Sequence, residues 1–534
     1  MSFSETSQTI PFPIPTLGYD SRVPLFNMPQ VYSPWLFNFE LEDGYLKKRQ
    51  PHVLGLAGSL NNTLAAPVIF QSSNSTSEKI ISIQAGANGT TDGTTTTNTP
   101  ADVFPYSFDY TVFNNVLFVS SASGAYSLNP TTLVYTLDFA YGPTVLAPIR
   151  RPITSFRERL YLGEGTNLGY GNAGAIAGAL NTYAMSSLIT SSIIALGRIS
   201  ISASFTPQAY FVVGTNKGDV LVFSGSNPSD PSWTLVGRFL LPIPPRTQTT
   251  PTGPNMDFVE IPNDLLINIK DSPQVYSLKQ LLTTGLTDNR DLPFDELRPF
   301  FNLAVPYGTD PAYRKSCAYL ATDNSVVMLC NFILENPILT PWYTSGDFPA
   351  KAITSDGSAI TEQCILFKCS LGENRSITPH TCPQGSAYAQ LRAGSDAVYS
   401  GNMWDIVQLF KPDNGVQLID YNPATSANIA YAAVAKFPPA NASKNKQVHD
   451  LIMYSNLVAT NSFSYQVSKL FDFKDTVFQS FTSLSTDLSI QANILSAGII
   501  QKTVIIGIKE NSSNASTPFS CYGMDMLLEV GGDF

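Results

Sequence analysis

Charge is what this 534-residue chain has least of. Asp, Glu, Lys and Arg make up 13% of it, about half the share usual in a soluble domain. The 31 basic residues are outnumbered by 41 acidic ones, for a formal net charge of −10. No basic run exceeds Lys47-Lys48-Arg49. That excludes tight groove-type binding to nucleic acid, because neutralising phosphates needs clustered cations. Transient passage of DNA past a non-adhesive wall stays compatible with it. Histidine is scarcer still: His52, His380 and His449 are the only three, far apart in the chain. No G-x-S-x-G or H-E-x-x-H pattern occurs, which excludes those nucleophile-elbow and zinc-protease chemistries. A carboxylate-pair hydrolase leaves little sequence trace and stays open.

Targeting signals are lacking too. The opening MSFSETSQTIPFPIP has neither a basic n-region nor an apolar h-region, so no secretory signal is expected. The longest uncharged stretch, 165–197, is interrupted by Asn181, Thr182 and several serines and threonines. It reads as buried strands and a short helix rather than a membrane span, and no stable membrane insertion is expected. Cysteines number six: Cys317, Cys330, Cys364, Cys369, Cys382 and Cys521. Without a signal peptide, reduced buried thiols are expected.

Two motif-like groups need weighing. Cys364, Cys369, His380 and Cys382 place four soft ligands within 19 residues. Zinc ribbons prefer two-residue spacings within each pair. The expectation is ordinary thiols and no metal, with zinc or a disulfide as the alternatives. Gly169-Tyr170-Gly171-Asn172-Ala173-Gly174 matches G-x-G-x-x-G. A dinucleotide site needs an acid about 20 residues on, yet no acidic residue lies between Glu164 and Asp219. A flexible loop is expected, and no cofactor. No catalytic, cofactor-binding or metal residues are therefore assigned.

What the chain does have is 24 tyrosines and 32 phenylalanines among abundant Thr, Ser and Asn, a composition that favours strands. Strand-like runs recur with turn signals between them: 116–128, 132–140, 159–165, 209–225, 274–278, 325–334 and 415–421. Asp413-Asn414-Gly415 reads as a tight hairpin turn. SLKQLLTTGL at 277–286 is the one short helix expected. This rhythm predicts a mainly β chain, a β-propeller of about six to eight blades with an additional C-terminal β domain. A double sandwich is the runner-up. The expected division is 1–55 as an N-terminal arm and first strand and 56–380 as blades with inserted loops. Residues 381–534 form the C-terminal β domain, which can include the closing blade. NGTTDGTTTTNTP at 88–100 reads as a flexible polar loop unable to build a core. Residues 244–256 read as a Pro/Thr linker and 441–446 as a polar loop.

Ser229-Asp230-Pro231-Ser232-Trp233 resembles a shortened Asp-box, the structural turn between blade strands of sialidase-like propellers. A longer block is more specific. AIAGALNTYAMSSL (175–188), followed after a gap by AYFVVGTNKGDVLVFSGSNPSDPSWTLVGRF, resembles phage tail and head–tail connector proteins. The matching positions are Thr215, Gly218, Val220, Val222, Phe223, Gly225, Asn227, Pro228, Trp233, Leu235, Val236 and Gly237. In PWLFNFELEDGYLKKRQP, Asn38, Glu42, Gly44, Leu46 and Arg49 fit the same family. There Gln50 intrudes before Pro51, and His52 stands where the family has glycine. ITSFRERLYLGEG (153–165) and the closing MDMLLEVGGDF follow in the family's order.

The resemblance implies a propeller-bearing structural virion protein of the nozzle or hub kind in short-tailed phages. It would form a ring, commonly a hexamer, with no enzymatic activity. Its partners would be copies of itself, adaptor and portal-side connector proteins, tail fibre or tail-tip proteins, and genomic DNA only as a transient passenger. On that reading Trp233 packs rather than binds. Net negative charge suits a conduit that must not hold DNA. The alternatives are a glycan-binding or glycan-hydrolysing propeller and a non-viral interaction scaffold. The glycan reading needs clustered arginines, and Arg150, Arg151, Arg157 and Arg159 are the only dense group.

Overall fold

In the strand Val116–Ser120, Leu117 and Val119 face one way and Phe118 the other, yet all three are fully buried. Side chains alternate across a strand, so this sheet is covered on both faces. The computed structural model describes residues 109–141, 151–203 and 206–242 without a break, and shorter segments elsewhere between Ser7 and Val530. Among these residues the chain is mainly β, with several antiparallel sheets and a single helix.

Four successive sheets are four-stranded antiparallel meanders, each strand paired with the next in sequence. The first holds Ala66–Phe70, Lys79–Ile83, Thr90–Thr91 and Thr96–Thr97. The second holds Tyr110–Phe113, Val116–Ser120, Gly124–Leu128 and Tyr135–Ala140. The third holds Ile153–Phe156, Arg159–Glu164, Asn167–Tyr170 and Asn181–Ala184. The fourth holds Ile193–Ala203, Thr206–Thr215, Asp219–Ser224 and Thr234–Leu240. A fifth, three-stranded sheet of Met256–Ile261, Asp264–Ile269 and Val275–Ser277 runs into the helix Leu278–Thr284.

The hairpins are locally dictated. Arg157 and Glu158 both take positive φ, 42° and 63°, as do Asn114 and Asn115 at 48° and 62°. Two central residues with positive φ make the mirror-image turn whose twist matches the flanking strands. The helix falls where sequence places it. Ser277 caps its start by accepting from the Gln280 amide, and Gly285 ends it at φ 66°.

Alternate residues of one strand feed different seams. Leu117 and Val119 pack with Val68, Ile81 and Ile83 of the sheet before. Phe118 packs with Ile153, Leu160 and Leu162 of the sheet after. Likewise Phe211 and Val213 meet the third sheet, while Val212 meets Met256, Leu265 and Ile267 of the fifth. Each such side chain contributes about 1.5–3 kcal/mol on burial, so a meander that loses one neighbour forfeits about half of its core.

The remaining sheets are assembled from distant parts of the chain. One is built on Ser316–Leu320, Ser325–Ile333, Ala359–Ser370 and Ile377–Thr381, to which Gly18–Tyr19 is added. Ser316–Leu320 lies near both Met256–Ile261 and Val398–Gly401, and Val398–Gly401 lies near Ala66–Phe70. Val398–Gly401 pairs with Ile406–Leu409, which pairs with Val53–Leu56. Trp35–Phe37 joins Ala430–Val434, Ile505–Glu510 and Phe463–Ser468. Ser7–Phe12 and Tyr45–Lys48 both pair with the last long strand, Ser520–Val530. The N-terminal strands therefore sit in sheets whose later strands come from beyond residue 300.

One expectation is corrected. Residues 88–100 do not behave as a loose polar loop where they are described. Thr90–Thr91 and Thr96–Thr97 form a hairpin, and Thr90 and Thr91 are buried. Asp92 holds the turn by accepting from the Thr94 and Thr95 amides and pairing with Lys79 at 2.6 Å. The Thr90 hydroxyl meets those of Thr99 and Tyr135. The neighbouring sheet supplies the core that a threonine run cannot build. Arg150, His52, Cys382, Asp413-Asn414-Gly415, the 415–421 run and nearly all of 244–256 and 441–446 lie outside the described residues. No described helix is long and apolar enough to cross a membrane, and 165–197 contributes strands.

Candidate functional site

Trp233 ends the turn that joins the last two strands of the fourth sheet. Its amide donates to the Asp230 carbonyl at 2.9 Å, and the Asp230 carboxylate accepts from the Ser232 amide at 2.9 Å. That amide, with the Ser232 side chain, holds the exposed Asp230 carboxyl below its ordinary range. The local geometry is an Asx turn, which Asp forms readily because its side chain reaches a backbone amide two residues on.

The indole then leaves the turn for the seam between the third and fourth sheets, where Trp233 is 8% exposed. It stacks on Phe223 with centroids 5.1 Å apart and planes 12° apart, and on Tyr161 at 6.2 Å and 12°. Phe211 packs at 5.6 Å and Tyr183 presents its edge. Tyrosines of the third sheet reach back to the same turn. Tyr161 donates to the Ser226 carbonyl at 2.8 Å, and the Tyr170 hydroxyl bonds that of Ser229. Burial pushes the Tyr161 phenol well up, so it stays a donor. The turn is a latch between sheets.

The arginine group is dispersed by the same architecture. Arg157 and Arg159 spend donors on the carbonyls of Ala209 and Gly171. Arg151 is buried over the Tyr141 ring, 4.6 Å from its centroid, with Glu164 at 3.8 Å. The described arginines therefore do not converge on one substrate carboxylate.

The G-x-G-x-x-G segment runs from the strand Asn167–Tyr170 into the connection before Asn181–Ala184, and no helix follows it. The Gly174 amide donates to the Glu158 carbonyl and the Gly178 amide to that of Asp138. Backbone amides that would cradle phosphates instead tie this loop to the second and third sheets.

Cys369 opposes Ile377 and His380 opposes Leu366 on paired strands. Opposed residues share a face, and positions an odd number apart lie on opposite faces. Cys369 and His380 therefore face opposite sides of their sheet and cannot ligate one ion. His380 is fully buried, its Nε2 3.0 Å from the Thr378 hydroxyl. Cys364 lies on the same strand as Cys369, opposite Asn331. Among the described residues no group of three or more His, Cys, Asp and Glu is placed to hold a metal.

Sequence reasoning missed the tyrosine latches and Asp264. That carboxylate accepts from the Ser277 hydroxyl and the amides of Leu265 and Lys279, yet burial raises its pKa. Asp before a strand is a common turn residue, so composition gives no signal of its role as a clasp between hairpin and helix.

No protein-family model and no curated protein matches the chain. Among solved structures, the extracellular domain of BT3049 from B. thetaiotaomicron is 9% identical, covering 86% of this chain and 55% of its own, with a TM-score of 0.40. The extracellular domain of BT4673 from the same organism is 12% identical, covering 67% and 39%, at 0.35. Chaetomium thermophilum Raptor is 11% identical, covering 63% and 29%, at 0.30. The chain thus spans about half or less of the length of these structures.

Proposed function

We propose that the chain is a β-propeller subunit of a virion ring, of the nozzle or hub kind. The first five sheets, the sheet starting at Ser316–Leu320 and the sheet of Val398–Gly401 make seven blades. Three observations support closure. Each sheet lies against the next, Val398–Gly401 lies near Ala66–Phe70, and Val53–Leu56 completes the final sheet from the other end of the chain. Closure of this sort covers the faces that the first and last sheets would otherwise leave open.

The observation that carries the ring reading is the outer rim. Val134, Leu137, Ile176, Leu235, Val236 and Leu240 are exposed large apolar side chains on the outermost strands or loops of three consecutive sheets, with Leu240 at 71%. Thr234–Leu240 is an edge strand among the described residues. An apolar edge of this kind is a pairing hazard for a monomer and a ready interface for a ring. Six copies would be net acidic, which lets DNA slide because few counterions are released on contact. Adaptor and portal-side proteins above and fibre or tip proteins below complete the assignment, with no enzymatic role.

Imaging of the assembled particle tests this. A closed ring around the DNA path, with Thr234–Leu240 at the subunit boundary, is expected. A single copy, a peripheral trimer or a position off that path overturns it. Deletion of residues 1–56 is expected to unfold the propeller; a truncated chain melting as the full chain does refutes the closing-strand assignment.

A further inference from the structure

We infer a saccharide-binding platform of three tyrosines and a carboxylate on the sheet that joins the two chain ends. Three neighbouring strands build it: Lys446–Asn456, Ser520–Val530 and Tyr45–Lys48, in that spatial order. Cys521 opposes Leu46, and both are buried. Tyr522 and Tyr45 therefore share the other face, and their rings lie 5.3 Å apart at 44°.

A bulge brings the third ring to that face. Tyr454 opposes Gly523 while Ser455 opposes Cys521, so Tyr522 is an extra residue in the ladder. Cys521 and Met524, three positions apart, both point inward at 3% and 2% exposure. Without the extra residue, strict alternation would set them on opposite faces. The bulge turns both Tyr522 and Gly523 outward, and bulges commonly re-aim a side chain at a site. The Tyr454 ring lies over Gly523, its Cδ2 at ordinary contact distance, 3.9 Å, from where a Cβ would stand. The Tyr454 hydroxyl donates to Asp525 Oδ2 at 2.7 Å, which fixes the ring and orients the carboxylate. An ionised carboxylate accepts at about four lone-pair sites, so Asp525 retains capacity for ligand hydroxyls.

The chemistry selects the occupant. Tyrosine offers an apolar ring with a wet, polar tip, which suits a ligand with a C–H face and hydroxyls at its rim. Tyr454 and Tyr522 are 38% and 48% exposed, leaving roughly 170 Å² of residue surface if a tyrosine presents ~200 Å². A stable protein interface needs about 800 Å² on each side, far more than these two residues expose, whereas one or two sugar rings match them. Asp525 disfavours phosphate and sulfate, which leaves an uncharged saccharide. This inference does not depend on the ring reading.

Titration calorimetry of the full chain against glucose, mannose, galactose and N-acetylglucosamine hexasaccharides tests it, at up to ~5 mM because exposed sites of this size bind weakly. At least one member is expected to bind. Tyr522→Ala is expected to weaken that binding at least about tenfold, with Tyr522→Phe retaining it and Asp525→Asn losing part. Sedimentation run alongside reads assembly. No binding by any member overturns the proposal. So does binding that survives Tyr522→Ala, or a Tyr522→Ala chain that keeps its sugar affinity and loses its oligomeric state.

Discussion

Trp233→Ala removes the indole from a seam in which it touches both sheets. Truncating a buried Trp costs about 3–5 kcal/mol. Loss of the stacks on Phe223 and Tyr161 adds to this, since aromatic pairs contribute ~0.5–1.5 kcal/mol beyond their area. One term works the other way. Nε1 is buried with no hydrogen-bond partner among the described residues, a burden of about 1–3 kcal/mol that truncation relieves. The net expectation is a loss of about 3–4 kcal/mol, or roughly 6–16 °C in melting temperature for a cooperative unit of ~150–250 residues. Trp233→Phe separates the terms, because it keeps a ring between Tyr161 and Phe223 and deletes the orphan donor. It is expected to cost less than ~1.5 kcal/mol. Circular dichroism melts of both variants decide the matter without relying on the deleted fluorophore. If Trp233→Ala melts with the wild type, or if Trp233→Phe is as damaging as Trp233→Ala, the packing account is wrong.

Gly124→Ala should destabilise by more than ~2 kcal/mol, because φ is 147° and a Cβ would stand 1.9 Å from the Phe139 carbonyl oxygen. Gly174→Ala, at φ 73° with open space around it, should cost only about 1–2 kcal/mol; equal melting temperatures would contradict both. Burial opposes ionisation of Asp92, but Lys79 and the Thr95 and Thr94 amides outweigh it and hold its pKa below the unfolded value. Its stabilisation is therefore complete above that unfolded value, ~3.9, and is lost as pH falls below it. Asp92→Asn should flatten the acid limb of the melting-temperature profile, and an unchanged limb would show that the pair does not contribute. Protein purified without chelator should carry no stoichiometric zinc; elemental analysis finding one ion released only on unfolding would overturn the expectation of ordinary thiols at Cys364, Cys369 and Cys382.

The hairpins were legible because their cause is local. The alternating runs at 116–128, 159–165 and 209–225 and the short helix at 277–286 each carry their signal within their own residues. Trp233 was legible as packing, since an aromatic after an Asp turn has few other uses. The threonine hairpin at 90–97 was not, because the Tyr135 hydroxyl that Thr90 meets lies 45 residues on, in the next sheet. The tyrosine face was hidden for a stronger reason. Tyr45, Tyr454 and Tyr522 become neighbours only through the register of three strands drawn from both ends of the chain, and a one-residue bulge settles which way Tyr522 points.

The pairing of Ser7–Phe12 with Ser520–Val530 also sets a clock. At ~5–20 residues per second, a ribosome takes about 25–100 s to make the residues separating the two strands. Throughout that interval Ser7–Phe12 and Tyr45–Lys48 exist without the edge they will join, and Val53–Leu56 waits for Ile406–Leu409. The early meanders can form as they emerge, since every strand in them pairs with its immediate neighbour. The ends cannot. These sheets therefore cannot close until residue 530 has been made, and the final step is slow because distant segments must meet before any contact rewards them. A nascent chain stalled before residue 520 would hold folded hairpins beside sticky, unpaired strands, and crowding of such chains on one message is where aggregation would begin.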